Sequence, residues 1–541
     1  MTLNSLSAPF VTVSNACLLA WGIKRFALTL FFGVLAASSL PPLNWFWVLP
    51  ISFSGLVWLL DGALSKQTLT RRGRFWRGFK LGWVFGFAYF LAGLWWIGSA
   101  FLVEADRFAW MLPFAVLAMP TGLALFVALG TAVAALLWSE GWGRIFALAV
   151  GLALFEWLRG HILTGFPWNA FGYGVSGSLL LSQTASLVGI YGLGFLTVLI
   201  ASSPALLTDP VRAARKWKPL VGLVLLLVAV TSYGTYRLYV LPDPEPSDVD
   251  VRIVQPAIDQ REKWLPENRE RIFKTLLEMS QKPLGGNARV GQQRIVVWPE
   301  SAIPFLLTRE PGALFRISRV LNDKTTLATG AVRMEAVGDE AQYFNSIYFI
   351  GGNGTVLEVY DKVHLVPFGE YLPLKSMLER LGLSTLVDAP EGFQAGYRQR
   401  VLKIEGLPSV IPLICYETIF PAYGKSGEEQ ASWLLNVTND AWFGNTPGPY
   451  QHFSQASMRA IEQGVPVIRA ANTGISAVVD AKGRVLTSVA LFDVGVLDEK
   501  IPGKIEKTPY GRYGDKLFVF LMVIGLSFSV FAKYNRGSRN N

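Results

Sequence analysis

The sequence predicts a bundle of about eight transmembrane helices joined to an extracytoplasmic α/β layered domain. Three observations carry that fold class. Hydrophobic residues make up 51% of the 541 positions and charged residues only 16%, against about 25% charged in ordinary soluble domains. Charge is absent from 26–60, 81–103, 108–139 and 162–208, and roughly 20 apolar residues suffice to span a bilayer. The basic excess sits in the apolar parts: residues 1–242 hold 16 Lys/Arg and 6 Asp/Glu, whereas 243–515 hold 29 and 33. A plain soluble enzyme is thereby excluded, and so is a disordered chain, which needs high charge and few aromatics. A pI near 9.4 would suggest nucleic acid. With the surplus next to apolar spans, it reads instead as loops facing an anionic membrane surface, and no nucleic-acid partner is expected.

Each element follows in turn. The predicted spans are 26–39, 43–61, 79–103, 110–137, 143–159, 179–207, 219–240 and 516–533, the first two separated by Pro41-Pro42. Lys24 and Arg25 precede the first span. Lys66, Arg71, Arg72, Arg74, Arg77 and Lys80 lie between the second and third. Arg144 follows the fourth, and Arg212, Arg215, Lys216 and Lys218 separate the sixth and seventh. Lys533, Arg536 and Arg539 follow the last. The intervening loops are poor in Lys and Arg. This alternation predicts that the basic loops and both termini are cytoplasmic. The expected domains are 1–242 with seven spans, an extracytoplasmic 243–515, and 516–541 with the last span and a basic tail. Glu156 and Arg159 lie one helical turn apart and read as an interfacial pair. The aromatic segment Gly165–Phe171 reads as an interfacial anchor.

The 243–515 block opens on a Pro- and acid-rich linker, Leu241–Ser247. Short β-branched runs then predict strands at 250–255, 294–298, 326–333, 346–350, 355–360, 409–415, 432–437, 466–470 and 475–479. Residues 266–281 read as an amphipathic helix. Strands interleaved with helices argue for a layered α/β domain.

There are two cysteines. Cys17 precedes the first span, so Cys415 is a lone thiol on the other side of the bilayer. It ends the apolar strand Val410–Cys415. A thiol nucleophile needs a base and a developing oxyanion needs donors. His364 is one candidate partner. Glu300, ending Ile295–Glu300, and Lys362, following Val356–Asp361, are the other. The three histidines are too scattered and the cysteines too few for a zinc site, so neither a metal nor another cofactor is expected.

Three motifs in order carry a resemblance: Trp298-Pro299-Glu300, then Tyr360 to Tyr371 with Lys362 and Glu370, then Leu413 to Glu417 with Cys415. They resemble the carbon–nitrogen hydrolase (nitrilase) superfamily. Together with the multi-span frame they resemble the apolipoprotein N-acyltransferase family of Gram-negative bacteria. Glu156–Gly160, Thr164–Tyr173, Asn439–Gly444 and Arg469–Gly474 add to that likeness.

The resemblance implies an α-β-β-α nitrilase-like sandwich on the membrane bundle, in the bacterial inner membrane with the catalytic domain periplasmic. It implies that Glu300 is the general base, Lys362 the oxyanion donor and Cys415 the nucleophile. Glu370 and Glu417 become supporting acids, and Tyr416 and Trp264 residues near the substrate. The implied reaction moves the sn-1 acyl chain of a phospholipid, phosphatidylethanolamine, through a Cys415 thioester to the α-amino group of a diacylglyceryl-cysteine lipoprotein. Lys362 is expected to favour the thiolate. Apolar residues in Phe166–Phe171, Leu372–Leu374 and Leu381–Leu386 are expected to shield the thioester from water. A tethered amidase, a transporter and an inactive receptor are the alternatives. Spans almost free of charge weigh against the transporter, and the intact Glu–Lys–Cys set against the receptor.

Overall fold

The computed structural model describes residues 3–66, 68–209, 213–285, 291–338, 340–373, 392–421 and 430–537. Residues 374 and 381–386 of the predicted shield lie outside them. The chain divides into two compact units. One comprises Met1–Gly98, Met111–Leu241 and Arg512–Asn541; the other comprises Ser99–Trp110 and Pro242–Gly511.

The first unit is helical. Among the described residues six helical stretches are long and apolar enough to cross a membrane: Phe46–Leu64, Arg71–Leu102, Ala105–Leu137, Ala185–Thr208, Leu220–Val240 and Lys516–Asn535. The predicted spans at 26–39 and 143–159 fall on the helices Gly22–Ala37 and Gly143–His161, which are not among those six. Three details differ from the sequence reading. Arg71, Arg72, Arg74 and Arg77 belong to a helix, Arg71–Leu94, not to a loop. The Thr70 hydroxyl accepts from Gly73 N at 3.1 Å and caps its start, and arginine is a good helix former. The span expected at 179–207 is interrupted: Leu179–Ser182 is a single turn, and Gly189 takes φ 68°, ψ 179° before the chain resumes its helix. Third, Arg144 is buried, pairing with Asp209 at 2.6 Å and Asp61 at 3.2 Å. Its charge is neutralised inside the protein instead of facing lipid.

Glu156 and Arg159 are buried as well, 3.7 Å apart. Glu156 Oε1 accepts from Phe171 N at 2.7 Å. Arg159 donates to the carbonyls of Phe166 and Trp168. Trp168 and Phe171 are buried too. The pair is therefore an internal clamp on the aromatic segment, and the segment is packed, not a surface anchor. A buried guanidinium needs acceptors, and these carbonyls supply them.

The second unit is a two-sheet sandwich with helices outside. Its strands are β1 (Asp250–Gln255), β2 (Arg294–Val297), β3 (Thr325–Val337), β4 (Glu340–Ile350), β5 (Val356–Asp361), β6 (Val410–Ile414), β7 (Trp433–Thr438), β8 (Val467–Ala471), β9 (Ser476–Val479), β10 (Val485–Val489) and β11 (Gly495–Lys500). The sheets run β11-β1-β2-β3-β4-β5 and β10-β9-β8-β7-β6. β1-β2-β3 and β6-β7-β8 are parallel, and the outer pairs are antiparallel. β10 and β11 escaped sequence reading: β10 is short and mostly exposed, and β11 carries Asp498, Glu499 and Lys500, so neither shows a buried apolar run.

Strand alternation explains the layers. In β1, Val251 and Ile253 point into the core between the sheets, beside Ile295, Val297, Val410, Ile414, Trp433, Leu435 and Val437. Val254 and Val296 point the other way, onto Ile272, Phe273 and Leu276 of the helix Arg269–Gln281 and Ile317 of the helix Pro311–Val320. Ile411, Leu413 and Leu434 face outward from the second sheet beside Ala460 of the helix Pro447–Gln463. The result is the α-β-β-α order.

Candidate active site

Three strand ends converge. Glu300 follows β2, Lys362 follows β5 and Cys415 follows β6. Strand ends are where a sheet can present side chains to a cleft without breaking its ladder. All three residues are buried.

Glu300 is held at both carboxylate oxygens and at its carbonyl. Oε1 accepts from Asn345 Nδ2 at 2.8 Å and lies 3.6 Å from Lys362 Nζ. Oε2 accepts from the backbone N–H of Asn439 at 2.8 Å. Its carbonyl accepts from Lys263 Nζ at 3.2 Å. Ser301, next along, has φ 46°, so the chain turns sharply there. Gly330 of β3 lies directly beneath: a Cβ at that position would overlap Glu300 Cα and the Pro299 carbonyl.

Lys362 Nζ donates to Glu370 Oε1 at 2.9 Å, and Asn345 Nδ2 donates to the same oxygen at 2.9 Å. Glu370 Oε2 accepts from Val366 N at 2.8 Å. Asn345 thus bridges the two carboxylates that flank the lysine. It sits in β4, whose Ser346 pairs with Asp361, so the register delivers it beside Lys362. Burial by itself depresses the lysine, but Glu370 and Glu300 outweigh that and hold its pKa up. Lys362 is therefore a fixed cation.

Cys415 adopts φ 48°, a left-handed conformation unusual for a residue with a Cβ. Burial pushes its thiol up, Glu300 adds to that, and Lys362 opposes it without prevailing. Lys362 thus favours the thiolate as expected, but burial and Glu300 outweigh it and hold the thiol above its ordinary range. The physical reason is that a thiolate here would lose its hydration and face a carboxylate.

Glu417 binds two motifs together. Oε1 accepts from Tyr360 Oη at 3.0 Å, Val363 N at 2.8 Å and His364 N at 3.2 Å; Oε2 accepts from Ile414 N at 2.7 Å. One buried carboxylate therefore joins the segment after Lys362 to the residue before Cys415. Burial outweighs these donors and raises its pKa to about 7.

The remaining predicted residues are less central. Tyr416 is buried, its ring 5.2 Å from Phe420 and 5.8 Å from His364. His364 packs on Phe420 at 3.8 Å and gives its backbone N–H to Glu417. Trp264 is half-exposed, with Lys263 Nζ 5.9 Å from its ring centre.

Sequence reasoning missed Asn345 and Lys263. A polar residue inside the apolar run of β4 was the available signal for Asn345. Nothing local marked Lys263, which is buried, with its pKa lowered to about 8 by burial against the pull of Glu300. Asn439 and the Arg469 segment stood in the quoted motifs without a role. Asn439 now supplies a donor to Glu300.

Two family models match: "Carbon-nitrogen hydrolase" over residues 250–510 and "Apolipoprotein N-acyltransferase N-terminal domain" over 32–203. An apolipoprotein N-acyltransferase of Rhizobium leguminosarum bv. trifolii is 46% identical over 497 residues, 90% of this chain and 92% of that one. The enzyme of that name from Rhodopseudomonas palustris is 43% identical over 531 residues, 97% of this chain and 98% of its own. A solved amidase from Nesterenkonia sp. is 18% identical, with a TM-score of 0.33, over 51% of this chain and 97% of that one. With relatives this similar along almost its whole length, the chain belongs to the apolipoprotein N-acyltransferase family.

Proposed function

We propose that the protein transfers the sn-1 acyl chain of a phospholipid, phosphatidylethanolamine, to the α-amino group of the N-terminal diacylglyceryl-cysteine of lipoproteins. The observation that carries this reading is the shared environment of Glu300, Lys362 and Cys415, tied together by Asn345, Glu370 and Glu417. Cys415 Sγ attacks the ester carbonyl while Glu300 takes the thiol proton. Lys362 Nζ and a backbone N–H near Tyr416 stabilise the tetrahedral oxyanion. Glu300 returns the proton to the departing lysophospholipid oxygen, leaving a Cys415 thioester. The lipoprotein amine then attacks the thioester, Glu300 accepts its proton, and that proton goes back to the sulfur as the amide forms. A thiol protonated at rest suits this order, because its proton leaves only as the carbon–sulfur bond forms. Glu370 and Glu417 position the lysine and the cysteine turn. Tyr416 and Trp264 lie near the acyl donor.

The spans expected at 26–39 and 143–159 complete eight crossings of the inner membrane. Both termini are cytoplasmic and residues 243–515 are the periplasmic catalytic domain. Both lipid substrates reside in the bilayer, held by about 0.8 kcal/mol per buried CH₂, so a membrane frame suits an acyl transfer between them. The test is a trap. Protein incubated with labelled phosphatidylethanolamine forms a hydroxylamine-labile acyl adduct. Cys415→Ser abolishes it and Cys17→Ser leaves it. A Cys415→Ser protein that still carried the labile adduct would end the proposal.

A further inference from the structure

A second buried polar cluster lies against Cys415, and the transfer chemistry does not use it. Four elements supply it: Thr438 ends β7, Asp440 follows, His452 lies in the helix Pro447–Gln463 and Arg469 lies in β8. All four residues are buried. Arg469 Nη2 donates to Asp440 Oδ2 at 2.7 Å, and its Nη1 donates to Asn436 Oδ1. Asp440 Oδ1 accepts from Thr438 Oγ1 at 2.9 Å and lies 2.8 Å from His452 Nδ1. Arg469 Nη2 is 3.1 Å from the same ring nitrogen. The far nitrogen, Nε2, is 3.1 Å from the Cys415 carbonyl oxygen. A carbonyl can only accept, so Nε2 carries a hydrogen and donates it.

The cluster reaches the nucleophile through His452, which holds the Cys415 carbonyl. Cys415 is also the residue whose backbone is strained, at φ 48°. Such a conformation is strained and persists only where the surroundings over-determine it. Space is built for the cluster: a Cβ on Gly474 would overlap Asp440 Oδ2. Burial would raise the Asp440 carboxyl, yet Arg469, His452 and Thr438 bring it down to about 2, so the cluster keeps its anionic centre across the working pH range. Burial and the neighbouring Arg469 guanidinium lower His452.

We propose that His452, fixed by Asp440 and Arg469, is a positioning residue that locks the Cys415 carbonyl and so sets the left-handed turn from which the thiol attacks. It touches neither the acyl group nor the proton that Glu300 carries. The idea rests on Cys415 being the nucleophile, and it deepens that reading by naming what aims it.

The test uses the full chain in a Cys17→Ser background, where Cys415 is the remaining thiol. Two rates are read across pH 6–9: alkylation of Cys415 by iodoacetamide, and acyl adduct formation from labelled phosphatidylethanolamine. His452→Phe removes the donor. Both rates fall by about 10²-fold, the loss expected when a reacting group is misplaced by about 1 Å, while the shape of each pH profile is unchanged. His452→Gln, whose amide can still donate to the carbonyl, recovers most of the loss. Unchanged rates in His452→Phe overturn the proposal, and so does an altered pH limb, which would make His452 an acid–base group. If His452→Phe does not fold, Thr438→Val is read by the same assays. A fall in both rates supports the cluster's role, and wild-type rates overturn it. The alkylation arm needs no lipid. Slowed alkylation in a protein whose parent forms no acyl adduct therefore counts against the proposed function alone.

Discussion

At Cys415 two opposite charges compete for one proton, and burial decides the contest in favour of the neutral thiol. Lys362 is then better placed to meet the oxyanion than to make a thiolate. Replacing it with Met removes one preorganised donor, and acyl-adduct formation is expected to slow by about 10²–10³-fold with little change in the lipid concentration at half-maximal rate. A parallel rise in that concentration would instead make Lys362 a substrate-binding group. Glu417 offers a stability test. Its folded-state pKa is raised, from 4.5 to about 7. The folded protein therefore binds this proton more tightly than the unfolded chain does. The stabilisation is complete below pH 4.5 and is lost as pH rises to 7, by about 3 kcal/mol. Unfolding midpoints of the wild type and Glu417→Gln, compared at pH 5 and pH 8, should show this loss in the wild type alone.

At the level of elements, the site depends on how closely strands approach one another. β3 passes under the Glu300 turn with only a glycine between them: Gly330 N donates to the Pro299 carbonyl at 3.2 Å and Ala302 N to the Gly330 carbonyl at 2.8 Å. Gly330→Ala pushes a methyl into Glu300 Cα. Overpacking of this kind costs about 1–3 kcal/mol, and because the shift falls on the base, adduct formation should drop at least tenfold. Measuring adduct rate and thermal midpoint together separates the two effects; full activity would show that the turn relaxes elsewhere. The strands themselves were legible. β2, β6 and β7 carry short apolar runs, Ile295–Val297, Val410–Ile414 and Trp433–Leu435, and the sequence marks them well. β10 is mostly exposed and β11 carries Asp498, Glu499 and Lys500, so neither reads as a buried apolar run. The interrupted helix at Gly189 was invisible because a glycine in an apolar run reads as helix until its φ is known.

For the whole molecule, sidedness is the claim that a direct measurement can reach. In a Cys17→Ser background, Tyr397→Cys, at a fully exposed position of the second unit, should react with a membrane-impermeant maleimide in cells whose outer membrane is opened. Ser65→Cys, beside the basic stretch 66–80, should react only after the inner membrane is breached. Labelling of both in intact spheroplasts, or of Ser65→Cys alone, would reverse the proposed topology. By itself the sequence determined the partition into an apolar, basic part and a polar α/β part, because hydropathy and charge are properties of composition and need no contacts. It also determined Glu300, Lys362 and Cys415 as strand-end residues in recognisable motifs. Tertiary structure alone decided what surrounds them. Asn345, Asn439, Lys263 and His452 come from separate elements, and only sheet register and burial bring their donors to Glu300, Glu370 and the Cys415 carbonyl. Burial also decided that the thiol stays protonated and that Arg144, Glu156 and Arg159 are internal charges, because desolvation depends on neighbours the chain order does not name.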